Sequence, residues 1–554
     1  MNERPWQRPL RLALCFLVLF AHSALADSLP SSESLKQTLA TQNLTIEGYG
    51  LDEDGLNAFY ATRDYRPAWN FAGYENSAAF ATFLDSIDQQ ITWHGLWSED
   101  YALDAMRQRA AANDDASRLD LELLVTDTLL RLAHDLHGDD IDLGQLYPGW
   151  NFHRAEADIP VQLAQAVAAS SAGEFFDSLT PKNQAYRDLG HALRIYRDLA
   201  AKGGWPLVEP GPSLRPKDHG PRVVQLRARL AGEGYLPSEP LPGKTANIFD
   251  ENLREAVEAY QFRNGLEADG QVGVGTLAAL DVPIEVHIDQ IRANMERWRH
   301  MPEDFPPPRG IIVNIADASI DIFDEKNPVY RGPVIVGQVE RKTPFIQSVI
   351  RSMIINPSWH VPSSIARADI LPKLRQDPHY LEKLGFVIRD SEADPYGTGI
   401  DWKNLRDEEF NFRLRQQPGK MNSLGRLKFD FDNDFAVYLH GTPHQELFQK
   451  NARTLSSGCV RLRDPELVAE LVLAGTPGEW NVPHIEDAIA TRKTHWIGLK
   501  QPMPVAILYW TVFADEAGQI QFRNDVYDYD RSLIENLRPG AETVEPETKT
   551  GVNP

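Results

Sequence analysis

Ala436-Val437-Tyr438-Leu439-His440-Gly441-Thr442-Pro443 and, further on, Leu455-Ser456-Ser457-Gly458-Cys459-Val460-Arg461-Leu462 decide how the C-terminal half of this chain is read. In the first segment, strand alternation puts Phe435, Val437 and Leu439 on one face and Tyr438 and His440 on the other. Gly441 and Pro443 end the strand, which leaves His440 at a strand terminus facing a cleft. In the second segment, Gly458 lets the backbone turn tightly just before the thiol of Cys459. Asp464-Pro465-Glu466 then opens a helix as N-cap, first helical residue and first-turn acid. Cys459 lies upstream of that helix, so the helix dipole alone lowers its pKa little. A positioned imidazole is needed to produce thiolate near neutral pH, and His440 is the candidate.

Each of these residues also has a plainer reading. A lone histidine at a strand end is commonly structural, and a lone cysteine can be a small core hydrophobe. His440 and His444 are four residues apart, as in some zinc helices. Gly441 and Pro443 forbid that helix, no Glu lies between the two, and the cysteine is distant, so no metal is expected.

The rest of the chain narrows the choice. Arg4, Arg8 and Arg11 precede an apolar run over 12–20, and Ala24-Leu25-Ala26 follows it, the pattern of a secretory signal peptide over 1–26. The expectation is an exported, periplasmic protein, retained at the inner membrane if the signal is not cleaved. Of two cysteines, Cys15 falls inside that signal, so the mature chain keeps only Cys459, which has no intramolecular disulfide partner. Fifty-six Lys and Arg against 79 Asp and Glu give a net charge of −23, which disfavours nucleic acid and anionic lipid as partners.

The 554 residues exceed one hydrophobic core. The pattern reads as multidomain α+β. Residues 27–205 carry amphipathic helical stretches and no catalytic constellation, so they read as a helical scaffold. Phe59-Tyr60 through Tyr65 to Trp69 suggests aromatic-anchored helix packing, and Asp139, Asp140 and Asp142 read as a solvated loop, since no calcium-loop spacing follows. A Pro/Gly-rich stretch over 206–216 marks a boundary. A small three-helix module over 212–283 follows, with Leu253, Ala256, Val257 and Tyr260 at helical spacing and Thr276 near the cap of its third helix. After a helix over 288–298 the texture turns to strands over 310–315, 319–323, 329–336 and 352–356. A polar insertion, a lid over about 363–431, interrupts them. Strand pattern resumes at 435–439, late strands over 505–513 and 519–526 form a C-terminal unit at 503–538, and a disordered tail covers 539–554.

The string Tyr260-Gln261, Gly265-Leu266, Asp269-Gly270, Gly273 and Thr276-Leu277 resembles the peptidoglycan-binding-like domain family, with Tyr-Gln where Phe-Gln is usual. Residues 309–502 resemble an L,D-transpeptidase catalytic domain of the YkuD type. Its motif is a His, a spacer matched here by 441–455, then Ser/Thr-His-Gly-Cys-apolar-Asn/Arg. Ser457 stands where most members have a second His, and Arg461 takes the Asn/Arg position. The Ser-Ser-Gly-Cys-Val-Arg form, the helical N-terminal region, the binding-like module and the insertion resemble the YcbB branch.

The resemblance implies a thioester mechanism. His440 takes the thiol proton, and Cys459 attacks the third residue of a donor tetrapeptide stem and releases D-Ala. The amine of an acceptor stem's diaminopimelate then attacks, giving a third-to-third cross-link. Backbone N–H groups around Gly458 and Cys459 would hold the oxyanion. Ser456, Ser457, Arg461, Tyr438 and Trp359 are substrate-binding candidates. No cofactor is implied, and other wall-synthesis enzymes are the further partners. Two alternatives stay open: an L,D-carboxypeptidase trimming tetrapeptide stems, in which water captures the thioester, and a non-catalytic wall-binding scaffold. Transfer of the same donor to a protein lysine is a third outcome of the chemistry.

Overall fold

The computed structural model describes residues 30–69, 78–112, 114–237, 246–389 and 391–538. The signal-peptide reading at 1–26 and the tail reading at 539–554 lie outside them. No helix among the described residues is long and apolar enough to cross a membrane.

The N-terminal helices pack around one long rod, Asp115–His137. Asp114 caps it by accepting the Ser117 N–H at 2.8 Å, and Gly138, at φ 86°, closes its C-terminus. The aromatic segment at 59–69 docks on this rod through polar anchors as well as rings. Tyr60 donates to Glu122 at 2.9 Å, and the Trp69 indole donates to Thr126 Oγ1 at 2.9 Å. Glu122 is buried, and desolvation raises its pKa to about 7. Asp139 accepts from His137 at 2.7 Å and Asp142 from the Gly144 N–H at 2.8 Å, so this acidic turn is committed to local structure.

The three-helix module comprises Pro221–Gly232, Glu251–Arg263 and Val274–Leu280. Gln261 organises it. Its side chain donates to Asp269 at 2.9 Å, to the Gln271 carbonyl at 2.8 Å and to Thr276 Oγ1 at 3.0 Å, and it accepts the Gly270 N–H at 2.9 Å. Thr276 therefore serves this network, and Gly273 occupies the N-cap expected of it. The next helix, Ile284–Arg299, starts four residues earlier than its pattern suggested and is the central strut. Its buried Arg297 donates to Asp530 at 2.6 Å and to the Tyr147 hydroxyl at 2.9 Å, tying three distant segments together.

The C-terminal half is built on a nine-stranded sheet that closes on itself. Its order is Thr454–Ser456, Asn327–Gly337, Val460–Leu462, Leu439–His440, Leu427–Phe431, Ile346–Ile355, His495–Leu508, Gly310–Asn314 and Ser319–Asp324. The strand Asn327–Gly337 bends so that its first half pairs with Ser319–Asp324 and its second half with Val460–Leu462, which makes the closure. Gly310–Asn314 is buried along its whole length, as a strand covered on both faces must be.

Three expectations change. Residues 427–431, read as part of the insertion, form a strand inside the sheet. Residues 503–508, read as the start of a separate C-terminal unit, are the end of the long strand His495–Leu508 beside Gly310–Asn314. Residues 143–152 and 186–205, read as scaffold, contribute Tyr147, Trp150, Phe152, Leu189 and Trp205 to the core around the nine-stranded sheet. In each case short-range periodicity gives the element, whereas long-range pairing decides which core it joins.

The insertion is its own small unit. The strands Trp359–His360, Leu414–Gln416 and Phe386–Ile388 form a three-stranded sheet, packed on helical turns with a core of Ile370, Leu371, Leu374, Trp402 and Phe410. Its leading helix carries a π-helical stretch, Ala366–Ile370, just before Pro372.

Candidate active site

His440 and the Cys459 loop are brought together by two short parallel strands, Leu439–His440 and Val460–Leu462, with His440 opposite Arg461 in register. The strand holding His440 is shorter than the sequence pattern suggested. Asn433 accepts the N–H groups of Phe435 at 3.1 Å and Val437 at 3.0 Å and donates to the Val437 carbonyl at 2.8 Å, and Ala436 takes a φ of 52°. This side-chain competition for the backbone keeps 433–437 out of the sheet. Tyr438 and His440 still lie together, their ring centroids 5.6 Å apart.

His440 is buried, and its Nδ1 meets the Gly441 carbonyl at 2.5 Å. That acceptor assigns the proton to Nδ1 and leaves Nε2 as the basic nitrogen. Burial first, and then the Arg461 guanidinium, push its pKa down to about 3, although the Gly441 and Leu424 carbonyls favour the charged form. Burial also pushes the Cys459 thiol up from its ordinary value, opposed by Tyr438, Arg461 and Lys428. Both groups are therefore neutral at rest. The Cys459 Sγ lies 3.8 Å from the Ala436 carbonyl.

The loop before Cys459 is fixed from both sides. Ser456 is buried, and its hydroxyl donates to the Cys459 carbonyl at 2.5 Å while accepting the Gly458 N–H at 3.1 Å. The Gly458 N–H, expected to face the oxyanion, is thus occupied within the loop. Gly458 has a φ of 111°, a conformation that a residue with a Cβ rarely adopts. Thr343, fully buried, donates to the Gly458 carbonyl at 2.8 Å and accepts the Gly337 N–H at 2.8 Å. Asp464 begins the following helix as expected, but its carboxylate makes no cap bond; it accepts from the Tyr330 hydroxyl at 2.9 Å.

A cavity of about 970 Å³ opens over Cys459 and His440 and runs beneath the insertion. Tyr438, Trp359, Ser456, Ser457 and Arg461 all line it, as do Asp369 and Lys373 of the insertion helix. Arg461 is half buried, its Nε has no hydrogen-bond partner, and it forms no ion pair among the described residues. Ser457 accepts from Arg341 at 2.9 Å. No group of three metal-ligating side chains occurs among the described residues.

Thr343, Arg341, Gly425 and Lys428 are site-shaping residues the sequence reading missed. Arg341 and Thr343 lie far from the motif in the chain, and Gly425 and Lys428, which precede His440, fall outside its pattern, so spacing carried no signal of them. A Cβ on Gly425, whose φ is 65°, would lie 2.5 Å from Gly441 C and Thr442 N. The glycine therefore lets two backbones touch behind His440. Lys428 sits with its ammonium 4.1 Å from the Tyr438 ring centroid, a cation–π distance.

A buried imidazole and a thiol thus line one cavity beneath the insertion. Residues 308–479 match the family model described as "L,D-transpeptidase catalytic domain" (YkuD). Residues 219–280 match the model described as "Putative peptidoglycan binding domain", and residues 54–193 match a "Scaffold domain". Among curated proteins, a "Putative L,D-transpeptidase" of Haemophilus influenzae is 33% identical over 247 residues, covering 44% of this chain and 48% of that protein. The chain thus matches about half the length of this curated relative. Two solved L,D-transpeptidases also align. The Xylanimonas cellulosilytica structure has 16% identity and a TM-score of 0.16 over 54% of this chain and 100% of that one. The Stackebrandtia nassauensis structure has 11% identity and a TM-score of 0.18 over 55% and 96%. Scores this low carry no argument about the fold.

Proposed function

We propose that this chain is a cysteine-dependent L,D-transpeptidase that forms third-to-third cross-links between peptidoglycan stem peptides. The observation that supports the reading is that Cys459, one residue before the strand Val460–Leu462, and His440, on the parallel neighbouring strand, line one cavity together with Arg461, whose Nε has no hydrogen-bond partner. His440 Nε2 takes the thiol proton as Cys459 Sγ attacks the carbonyl carbon of the third residue of a donor tetrapeptide. Two neutral partners make this transfer concurrent with attack. The tetrahedral intermediate collapses, the imidazolium returns the proton to the leaving amine of D-Ala, and a thioester remains. The side-chain amine of an acceptor diaminopimelate then attacks, His440 accepts its proton, and the thiolate leaves and is reprotonated.

With the Gly458 N–H engaged by Ser456, the Cys459 amide is the loop's oxyanion donor, worth about 3 kcal/mol in comparable sites. Ser456 and Gly458 hold the loop, and Ser457 anchors Arg341. Arg461 offers a charge-assisted partner to a stem carboxylate, and Tyr438 and Trp359 form the wall against the peptide. The Ser456-Ser457-Gly458-Cys459 form, with the helical region and insertion, supports placement in the YcbB-like branch. The basic and apolar residues at 1–26 support export to the periplasm.

The test is incubation of the purified chain with disaccharide-tetrapeptide muropeptides, read by mass spectrometry, beside Cys459→Ala and His440→Ala. Third-to-third dimers that vanish in both variants are expected. Tripeptide without dimers would assign a carboxypeptidase instead. No turnover and no thioester on Cys459 would leave a wall-binding scaffold.

A further inference from the structure

The insertion's three-stranded sheet has two unlike faces. Trp359, Gln416 and Phe386 stand opposite one another in register and line the cavity over Cys459. The next row, His360, Arg415 and Val387, therefore points to the other face. One step further, the Arg389 N–H bonds the Arg413 carbonyl at 2.9 Å, which sets Arg389 beside Arg413 on that same face. His360, Arg389 and Arg413 are exposed.

Like charges opposite one another on paired strands destabilise a sheet. Here Arg389 and Arg413 stand opposite one another in that way, with Arg415 in the row beside them, in a chain whose net charge of −23 shows no shortage of carboxylates. None of Arg389, Arg413 and Arg415 pairs with a carboxylate among the described residues, and Arg415 Nε is buried without any partner. Burial, then Arg389, Arg415 and Lys428, in that order, lower the pKa of His360, which places these cations in one field. Lys428 carries that field inward: its ammonium faces Tyr438 and acts on both His440 and Cys459. Lys428 has an acidic neighbour, Asp430 at 3.1 Å.

We propose that the outer face of this sheet, through Arg389, Arg413, Arg415 and His360, is a docking surface for a carboxylate-bearing peptide strand. On the functional reading above, which this inference extends, that strand is a peptidoglycan segment whose neighbouring stems carry several free carboxylates. The face holds it by charge complementarity while one stem enters the cavity. A row of guanidiniums suits carboxylates because each offers paired donors in a fork. An electropositive strip on an acidic protein also steers anions toward one edge of the molecule.

The experiment uses the full chain carrying Cys459→Ala, with and without Arg389→Gln plus Arg413→Gln. Both arginines are exposed, so the exchange spares the core, and circular dichroism melting checks that it does. The probes are a soluble tetrasaccharide with two tetrapeptide stems and the same molecule with its carboxylates amidated. Binding of the acidic probe should weaken about tenfold in the double variant and should lose much of its salt dependence. The amidated probe should bind both proteins equally weakly. Equal binding of the acidic probe to both proteins would overturn the proposal, as would tighter binding of poly-glutamate than of the acidic probe, which would assign the face to an acidic protein. The same two substitutions on a chain with Cys459 intact separate this inference from the function. Cross-linking that is unchanged in rate refutes the docking face and leaves the transpeptidase reading in place. Arginine-dependent binding without turnover does the reverse.

Discussion

Arg341 grips both carboxylate oxygens of Asp369, at 2.6 and 2.9 Å, and with the same Nη1 reaches Ser457 Oγ at 2.9 Å. Asp369 lies on the π-helical stretch of the insertion, Arg341 on the loop after Asn327–Gly337, and Ser457 two residues before Cys459. One guanidinium therefore latches the insertion to the Cys459 loop. Ser457, where a second histidine is usual in the resemblance drawn above, serves as the latch's third point. Because the pair is only half buried, solvent screens it and its worth is about 0.5–1 kcal/mol. Arg341→Gln should cut kcat/KM on muropeptides two- to fivefold and speed hydrogen exchange over 363–376. Exchange that stays at the wild-type rate would refute the latch.

Thr343 joins two strands' worth of backbone to the Cys459 loop through one hydroxyl. Thr343→Val keeps the shape and leaves the Gly337 N–H and Gly458 carbonyl without that partner. Unsatisfied buried groups cost about 1–3 kcal/mol each. Thermal melting should fall measurably, and acylation of Cys459 should slow even at temperatures where the variant is fully folded.

Gly425→Ala tests the support behind His440. The added methyl would press on Gly441 and Thr442 from 2.5 Å, at a φ of 65° that alanine resists. A shift of the imidazole by even a fraction of an ångström should cost on the order of tenfold or more in turnover. Iodoacetamide labelling of Cys459, which needs no base, should change far less.

The pH dependence follows from two neutral partners. With the Cys459 thiol raised by burial, its thiolate is scarce at neutral pH and grows as pH rises. Alkylation by iodoacetamide should therefore be slow from about pH 6 to 8 and climb above about pH 9, the ordinary thiol range. His440, with a pKa near 3, stays in its basic form throughout, so turnover should show no acid limb near pH 6 to 7. A plateau of alkylation already reached at about pH 6 would instead reveal a preformed thiolate–imidazolium pair.

Asp530→Ala should destabilise the whole assembly rather than the site. It removes the acceptor of the buried Arg297 and of the Thr511 hydroxyl, which meets the other carboxylate oxygen at 2.5 Å. Breaking a buried pair by deleting one partner costs about 3–5 kcal/mol. The melting temperature should fall while the iodoacetamide profile of the folded fraction stays the same.

The sequence by itself determined the features written in short windows. The strand end at His440, the glycine turn before Cys459, the helix begun at Asp464-Pro465 and the three-helix module through Gln261 are all local patterns. Each depends on neighbours within a few residues, where spacing and φ preference decide conformation. Tertiary structure decided the rest. That 427–431 is a core strand, that 503–508 completes the sheet, and that Tyr147 and Trp150 join the core around that sheet are matters of pairing between segments far apart in the chain. So too are the commitments of Gly458's carbonyl to Thr343 and of Ser457 to Arg341. A hydrogen bond leaves no periodicity in the chain; which donor meets which acceptor depends on how the closed sheet folds distant strands against one another, and burial then sets the charge state of the groups it encloses.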